Sequence, residues 1–490
     1  MNITDAIRKQ AQLNPDAPAV VRRGDRTVTY RDLDRTIDAS ARRALDLGLR
    51  PGLTAAISLA GNRTSDPYPF LILALALARI GVASGPATLP VRHATMSFVA
   101  AATGAPDSRT VLIDEGWYEA PRPEASVESV SSHQDGAAIC RIFPSSGTTG
   151  SPKYIAISHE MMRRRLVARQ RDTPFSADLR QISAIGPANH YWFRDALNCL
   201  SVGGMQILMP FTTAGSRYRV NYLIAPPAIL ERIIANLPSG AGPFPSLATI
   251  EVGGAHLSPK LAGLVREKLG TNIVCSYGST ESGPVARAPL LALEGNRGAV
   301  GYLDTGVEVQ SVDENDRPLA PGEQGILRIR SDTCVAGYFD DPQATARSFR
   351  NGWFYPGDLG AVSSEGILSV AGRTDELINR GGNKINPQRI DEVLLSVKGV
   401  REAAAFEVVG ASGVPEIWAA IVLDGPVEQR ALVETCKARL ERNAPAVIMK
   451  FDRLPRNDTG KVMRRELARM AVERRAAGKG QAGGETPGTN

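Results

Sequence analysis

Cysteine is scarce and unordered in this chain. Cys140, Cys199, Cys275, Cys334 and Cys436 are five in 490 residues, with no CxxC pair and no Cys/His spacing. An odd, scattered set argues against a disulfide framework or a zinc site and fits a reducing, cytoplasmic compartment. Long apolar runs are missing too. The longest, Pro69 to Ala78, is about half a bilayer span and reads as a buried helix. The opening MNITDAIRKQAQLNPD is polar, without a signal-peptide hydrophobic stretch, so no membrane partner is expected. There is no internal repeat of fixed period and no G-x-x-x-x-G-K-[ST] phosphate loop.

Charge of one sign is not concentrated either. The net charge is +6, but basic residues are interleaved with acids, which does not point to nucleic acid. The cluster Arg163–Arg164–Arg165, in a helix-like stretch after Ser158, reads as a solvated face. A modest positive balance suits an enzyme that handles polyanionic small molecules. With 43% apolar residues a large core is readily buried, and 490 residues call for two or three domains.

To about residue 370, short apolar strands alternate with amphipathic helices, as in α/β sheets. TAAISLA, TVLID, QILMP, YLIAP, ATIEVGG and NIVCSYG read as strands; YRDLDRTIDASARRALDLG, PPAILERIIANL and SPKLAGLVREKLG read as helices. Residues 300–368 are β-rich, with GVEVQSVDENDRPLAPGEQGILRIRS forming a hairpin around its Asp/Asn/Pro/Gly turn. The composition shifts again at AGRTDELINRGGNKINPQRIDEVL. The segment beyond it has the size of a small α+β domain, and it closes in a Gly/Pro-rich stretch expected to be a disordered tail.

FPSSGTTGSPK, Phe143 to Lys153, comes after a strand and carries two glycines, several hydroxyls and a lysine. Its backbone N–H groups suit phosphate oxygens, and Lys153 adds a point charge. SSGTTGSPK resembles the phosphate loop of the adenylate-forming superfamily of acyl-CoA synthetases, peptide-synthetase adenylation domains and luciferases. Four further stretches resemble that family's motifs in order: SYGSTESG (276–283), GWFYPGDLG (352–360), GRTDELINRGGNKINPQRID (372–391) and LPRNDTGKVMRREL (454–467).

The resemblance implies an α/β fold: a large N-terminal domain of sheets sandwiched with helices, with a small barrel-like β part, and a small mobile α+β C-terminal domain. It sets the domains at 1–373 for ATP and acyl binding, 374–375 for the hinge, 376–473 for a lid with the catalytic lysine, and 474–490 for the tail. It implies ATP-dependent activation of a carboxylic acid to an acyl-adenylate with loss of pyrophosphate. The acyl group then passes to the thiol of CoA, with Mg²⁺ as cofactor. The alternative is a stand-alone adenylating enzyme that loads the phosphopantetheine of an acyl carrier protein or forms an amide.

The same resemblance implies the residue roles. Ser145, Ser146, Gly147, Thr148, Thr149, Gly150 and Lys153 hold the β- and γ-phosphates. Thr280 meets the α-phosphate and Glu281 ligates magnesium, which prefers few carboxylates plus phosphate oxygens. Gly253, Gly254, Ala255, Ser276, Tyr277, Gly278 and Ser279 surround adenine. Asp358 accepts both ribose hydroxyls, and Arg373 sits between ribose and phosphate. Lys461 bridges the substrate carboxylate and the α-phosphate. Asp375 is the hinge residue, and Gly381, Gly382 and Lys384 line the thiol tunnel. His190, also counted among the catalytic residues, is expected in the acyl pocket with Tyr191, Trp192, Gly253 and Gly278; the aromatic surface suits an aryl or medium-sized acyl group. Tyr191 replaces the aspartate that anchors an α-amino group in amino-acid-activating relatives, although Asp195 is close in sequence. A non-catalytic nucleotide-binding module would lack one of Glu281, Asp358, Arg373 or Lys461, and all are present.

Overall fold

The computed structural model describes residues 1–59, 66–99, 109–121, 129–145, 153–173, 175–296, 298–380, 383–409, 415–457 and 461–481. The chain divides into two compact units: Met1–Val309 with Ile329–Phe354, and Gln310–Arg328 with Tyr355–Asn490.

The first unit contains a six-stranded sheet in the order Thr110–Leu112, Met96–Val99, Thr54–Ser58, Ala83–Pro86, Ile139–Pro144, Tyr154–Ser158. All neighbours are parallel except the last pair, an antiparallel hairpin with Phe143 opposite Ile155 and Pro144 opposite Tyr154. The apolar run that opens the helix Tyr68–Arg79 has almost no exposed side chain, as its unbroken hydrophobicity requires.

The larger sheet of this unit runs Ala299–Leu303, Gly283–Pro289, Ile273–Ser279, Thr249–Gly253, Tyr222–Ile224, Arg180–Ser183, Met205–Ile207, Pro18–Arg22, Arg26–Thr29. Its centre, from Ile273–Ser279 to Pro18–Arg22, is parallel, and antiparallel strands close both sides. Strands buried on both faces need apolar residues at consecutive positions, which is why YLI and TIEV lack the alternation of a half-exposed strand.

In the second unit, Gly325 and Ile326 pair with Gly360 and Leu359, and the strand Asp358–Val362 pairs antiparallel with Ile367–Arg373. A three-stranded sheet comes next, in the order Val400–Val409, Pro415–Leu423, Val447–Lys450. Its middle strand shows why helices cover both faces. Ile417, Ala419 and Ile421 pack with the helices Pro387–Leu395 and Gln429–Leu440, whereas Trp418, Ala420 and Val422 pack with Leu467 and Ala471 of the helix Arg464–Gln481. That last helix corrects the expected tail: 474–481 are helical, and 482–490 lie outside the described residues. Among the described residues no helix is long and apolar enough to cross a membrane.

Candidate active site

In the first unit the hairpin Ile139–Pro144/Tyr154–Ser158 brackets the glycine- and hydroxyl-rich loop. The Ser145 N–H donates to the Lys153 carbonyl at 2.7 Å, closing the neck. The Ser145 hydroxyl is buried with no hydrogen-bond partner among the described residues. Ser146, Gly147, Thr148, Thr149 and Gly150 lie outside the described residues. Past the neck, the Lys153 ammonium stands 4.7 Å from the centroid of the Tyr338 ring. The Tyr338 hydroxyl donates to Glu281 Oε1 at 3.1 Å. One tyrosine therefore gathers the lysine that ends the loop and the carboxylate of SYGSTESG.

Glu281 occupies a tight hairpin between Ile273–Ser279 and Gly283–Pro289. Ser279 and Ser282 bond each other's main-chain N–H groups at 3.1 Å, which pins the turn holding Thr280 and Glu281. Gly283 adopts φ +73°, a left-handed conformation that glycine takes without cost. At Gly278 the strands approach so closely that a Cβ would strike the Gly283 carbonyl. Among the described residues no three His, Cys, Asp or Glu side chains converge as a metal site. Magnesium nevertheless fits this donor set, because it takes one or two carboxylates and completes its octahedron with phosphate and water oxygens.

Asn189 caps the helix His190–Ser201 by accepting the Tyr191 N–H at 2.8 Å, which sets His190 and Tyr191 in the first turn. The Tyr191 hydroxyl meets Glu251 Oε1 at 2.5 Å and the Ser276 hydroxyl at 3.0 Å. A Cβ at Gly253 would lie 2.7 Å from the Ser276 hydroxyl and 3.6 Å from the Tyr191 ring. Tyr191, Gly253 and Ser276 thus form one wall. Gly254, Ala255 and Gly278 are exposed beside it, and Tyr277 is half-buried.

Trp192 is a correction: it is 1% exposed, edge-on to Phe70 at 6.4 Å, and belongs to the core rather than to a pocket. Asp195 lies buried against Arg194 (both oxygens at 3.0 Å) and Arg169 (3.5 Å), so its charge is already met. Burial raises its pKa even so.

Behind the wall lies a polar network that motif reading missed. Glu251 accepts from the Tyr222 hydroxyl at 2.5 Å and pairs with the Arg169 guanidinium. Burial pushes its carboxyl pKa up, but Arg169 and the two tyrosine hydroxyls outweigh that and hold it below the ordinary value. A lone acid in the apolar strand TIEVG was the available signal, since a buried charge requires a partner. The basic cluster is a second correction. Arg163 and Arg164 pair with Glu160 on the outside, whereas Arg165 is fully buried. Met162, Arg165 and Arg169 share the inward helical face by their three- and four-residue spacing. His190 is also buried, edge-on to Phe143 at 5.0 Å. Burial, with Arg165, Arg194 and Arg141 nearby, pulls its pKa well below the ordinary value and keeps the ring neutral.

In the second unit, strand register places Asp358 opposite Arg373, whose Nη1 reaches Asp358 Oδ1 at 3.2 Å and the Pro356 carbonyl at 2.6 Å. Arg373 Nε also bonds Asp375 Oδ1 at 3.1 Å. Lys461 is held in a narrow-necked loop. Its N–H donates to Asn457 Oδ1 and its carbonyl accepts the Asn457 N–H, both at 2.9 Å. Its ammonium pairs with Glu376 Oε1 at 2.6 Å, while Arg464 takes Glu376 Oε2 at 3.3 Å. Gly381 and Gly382 lie outside the described residues, and Lys384 is described only in its main chain, opposite Asn379.

Residues 7–339 match the family described as AMP-binding enzyme. The chain belongs to that family. It is 28% identical to the 2-succinylbenzoate–CoA ligase of Bacillus licheniformis, over 94% of this chain and 98% of the relative. It is 27% identical to the feruloyl-CoA synthase of Amycolatopsis sp, over 94% and 97%. It is 28% identical to a medium/long-chain-fatty-acid–[acyl-carrier-protein] ligase of Mycobacterium tuberculosis, over 97% and 96%. In fold it is similar to o-succinylbenzoate CoA synthetase of Bacillus subtilis in complex with its acyl-adenylate, with a TM-score of 0.81 at 24% identity, over 94% and 97%. This AMP-binding enzyme is accordingly an AMP-forming ligase. It activates a carboxylic acid at the expense of ATP and passes the acyl group to a thiol.

Proposed function

We propose that the reaction is carried by the residues gathered above, on an aryl or medium-sized carboxylic acid, with CoA as the preferred acceptor. The Lys153–Tyr338–Glu281 line is the observation that carries this reading. It sets a cation at the end of the phosphate loop and a carboxylate for magnesium at the two ends of a single side chain.

The acid's carboxylate must attack the α-phosphate, one anion approaching another, so the barrier is largely electrostatic. Ser145 to Lys153, including Ser146, Gly147, Thr148, Thr149 and Gly150, hold the β- and γ-phosphates that leave as pyrophosphate. Thr280 meets the α-phosphate. Bound magnesium, ligated by Glu281, supplies charge neutralisation between the phosphates. Tyr277 with Gly253, Gly254, Ala255 and Gly278 receives adenine. Asp358 takes the ribose hydroxyls, positioned by Arg373, and Lys461 neutralises the carboxylate oxygen and the α-phosphate together. Asp375 serves as hinge, and Gly381, Gly382 and Lys384 flank the arriving thiol.

Tyr191 and His190 shape the acyl side. Because Asp195 is committed to Arg194 and Arg169, it is not free to meet an α-amino group, which favours a simple acid over an amino acid. The likeness to an acyl-carrier-protein ligase keeps a carrier phosphopantetheine as the second acceptor.

ATP–pyrophosphate exchange over a panel of aryl, medium-chain, long-chain and amino acids tests the first step. CoA, holo-carrier protein and an amine offered in turn test the second. Exchange with aryl or medium-chain acids and thioester formation on CoA are expected. Exchange restricted to amino acids, or none with any acid, would refute the reading.

A further inference from the structure

Arg165 has no place in any motif, yet its guanidinium ties three separate segments together. Nε and Nη2 donate to the Thr333 carbonyl at 3.1 and 2.8 Å. Nη2 also donates to the Glu281 carbonyl at 3.1 Å. Nη1 lies 2.8 Å from His190 Nε2. A guanidinium only donates, so His190 Nε2 accepts and the ring proton resides on Nδ1. The Glu281 carbonyl takes a second bond from the Val335 N–H at 2.9 Å, and Thr333 Oγ1 donates to the Ser282 carbonyl at 2.8 Å. A Cβ at Gly283 would stand 3.1 Å from Arg165 Nε, so the turn is wrapped directly on the guanidinium.

Among the described residues no carboxylate pairs with Arg165, and burial lowers its pKa to about 9. A buried cation without a counter-ion is an expensive way to fill a core. What a fully apolar side chain would lack is the planar fork that reaches three acceptors in fixed directions.

We propose that Arg165 is a positioning residue that sets the Glu281 turn and the His190 tautomer in one register, coupling the metal side of the site to its acyl side. This rests on the roles given to Glu281 and His190 under the proposed function. Lysine at 165 keeps the charge but cannot span the three acceptors, and methionine keeps the bulk alone.

The test compares wild type, Arg165→Lys, Arg165→Met and a remote core control, Leu33→Ala. Four quantities are measured: thermal midpoint; half-saturation by Mg²⁺ in ATP–pyrophosphate exchange; KM for the acid that exchanges fastest in wild type; and the ¹⁵N spectrum of histidine-labelled protein. Both Arg165 variants are expected to raise the Mg²⁺ half-saturation and the acid KM together, about ten- to hundredfold. The single-tautomer signature of His190 should be lost with them. Leu33→Ala should lower the midpoint and move neither constant. Wild-type constants in a folded Arg165→Lys protein, or a shift in only one of the two, would overturn the proposal; if Arg165→Met does not fold, Arg165→Lys decides. No exchange by wild type with any acid would instead sink the proposed function, and the histidine spectrum would still judge the clamp.

Discussion

Arg169 and Glu251 stand 82 positions apart in sequence and meet in the interior with Tyr222 and Tyr191 around them. Removing one charge of such a pair leaves the other buried and unmet. Glu251→Gln is therefore expected to cost about 3–5 kcal/mol in urea unfolding. His159 adds a pH term. Its Nδ1 accepts the Ile3 N–H at 3.2 Å, and Nε2 is buried without a partner among the described residues. Burial first, then His133 and the N-terminal ammonium, lower its pKa to about 4. The unfolded chain, near 6.5, takes up the proton first, so stability falls as pH drops from about 6.5 towards 4 and levels off below. Urea midpoints at successive pH values should show this limb, and His159→Gln should flatten it. Lys461, paired with Glu376 at 2.6 Å, carries the largest single role in the proposed reaction. Lys461→Ala is expected to slow adenylation by roughly two to three orders of magnitude while sparing thioester formation from supplied acyl-adenylate. Equal loss in both half-reactions would refute its role. The proposed role of this lysine comes from the motif alone, whose glycine and charges sit together in sequence. Arg165, Glu251 and Tyr338 were not legible in this way, because their partners come from distant segments.

At the scale of elements, the two hairpins that hold Glu281 and Asp358 depend on close main-chain approach. A Cβ at Gly360 would strike the Ser369 carbonyl across the strand pair that aligns Asp358 with Arg373. Gly360→Ala is expected to weaken Mg·ATP binding through this pair, read by calorimetry, with little change where the phosphate loop is concerned. Strands and helices were largely readable from apolar period and glycine signals: the strand expected at ATIEVGG is Thr249–Gly253, and the helix expected from Ser258 is Pro259–Lys268. Trp192 was misjudged because the helix His190–Ser201 is buried nearly all round, leaving its inward face no pattern to betray it. The tail was misjudged because Gly478 and Gly480 argue against a helix, whereas Ala476 and Ala477 extend the one that begins at Arg464.

For the whole molecule, the decisive feature is how the chain is threaded. It leaves the first compact unit after Val309, returns after Arg328 and leaves again after Phe354. Within the second unit, the early excursion bonds to the later segment through Gly325–Gly360 and Ile326–Leu359. No single cut thus separates one unit from the other. A hybrid with a related ligase spliced only after Phe354 would graft a foreign strand onto a native neighbour. One that also exchanges Gln310–Arg328 keeps the original couple intact. The two-patch graft should stay soluble and melt near its parents, and the one-patch graft should melt earlier, so the tolerated seams for recombining such enzymes come as a set.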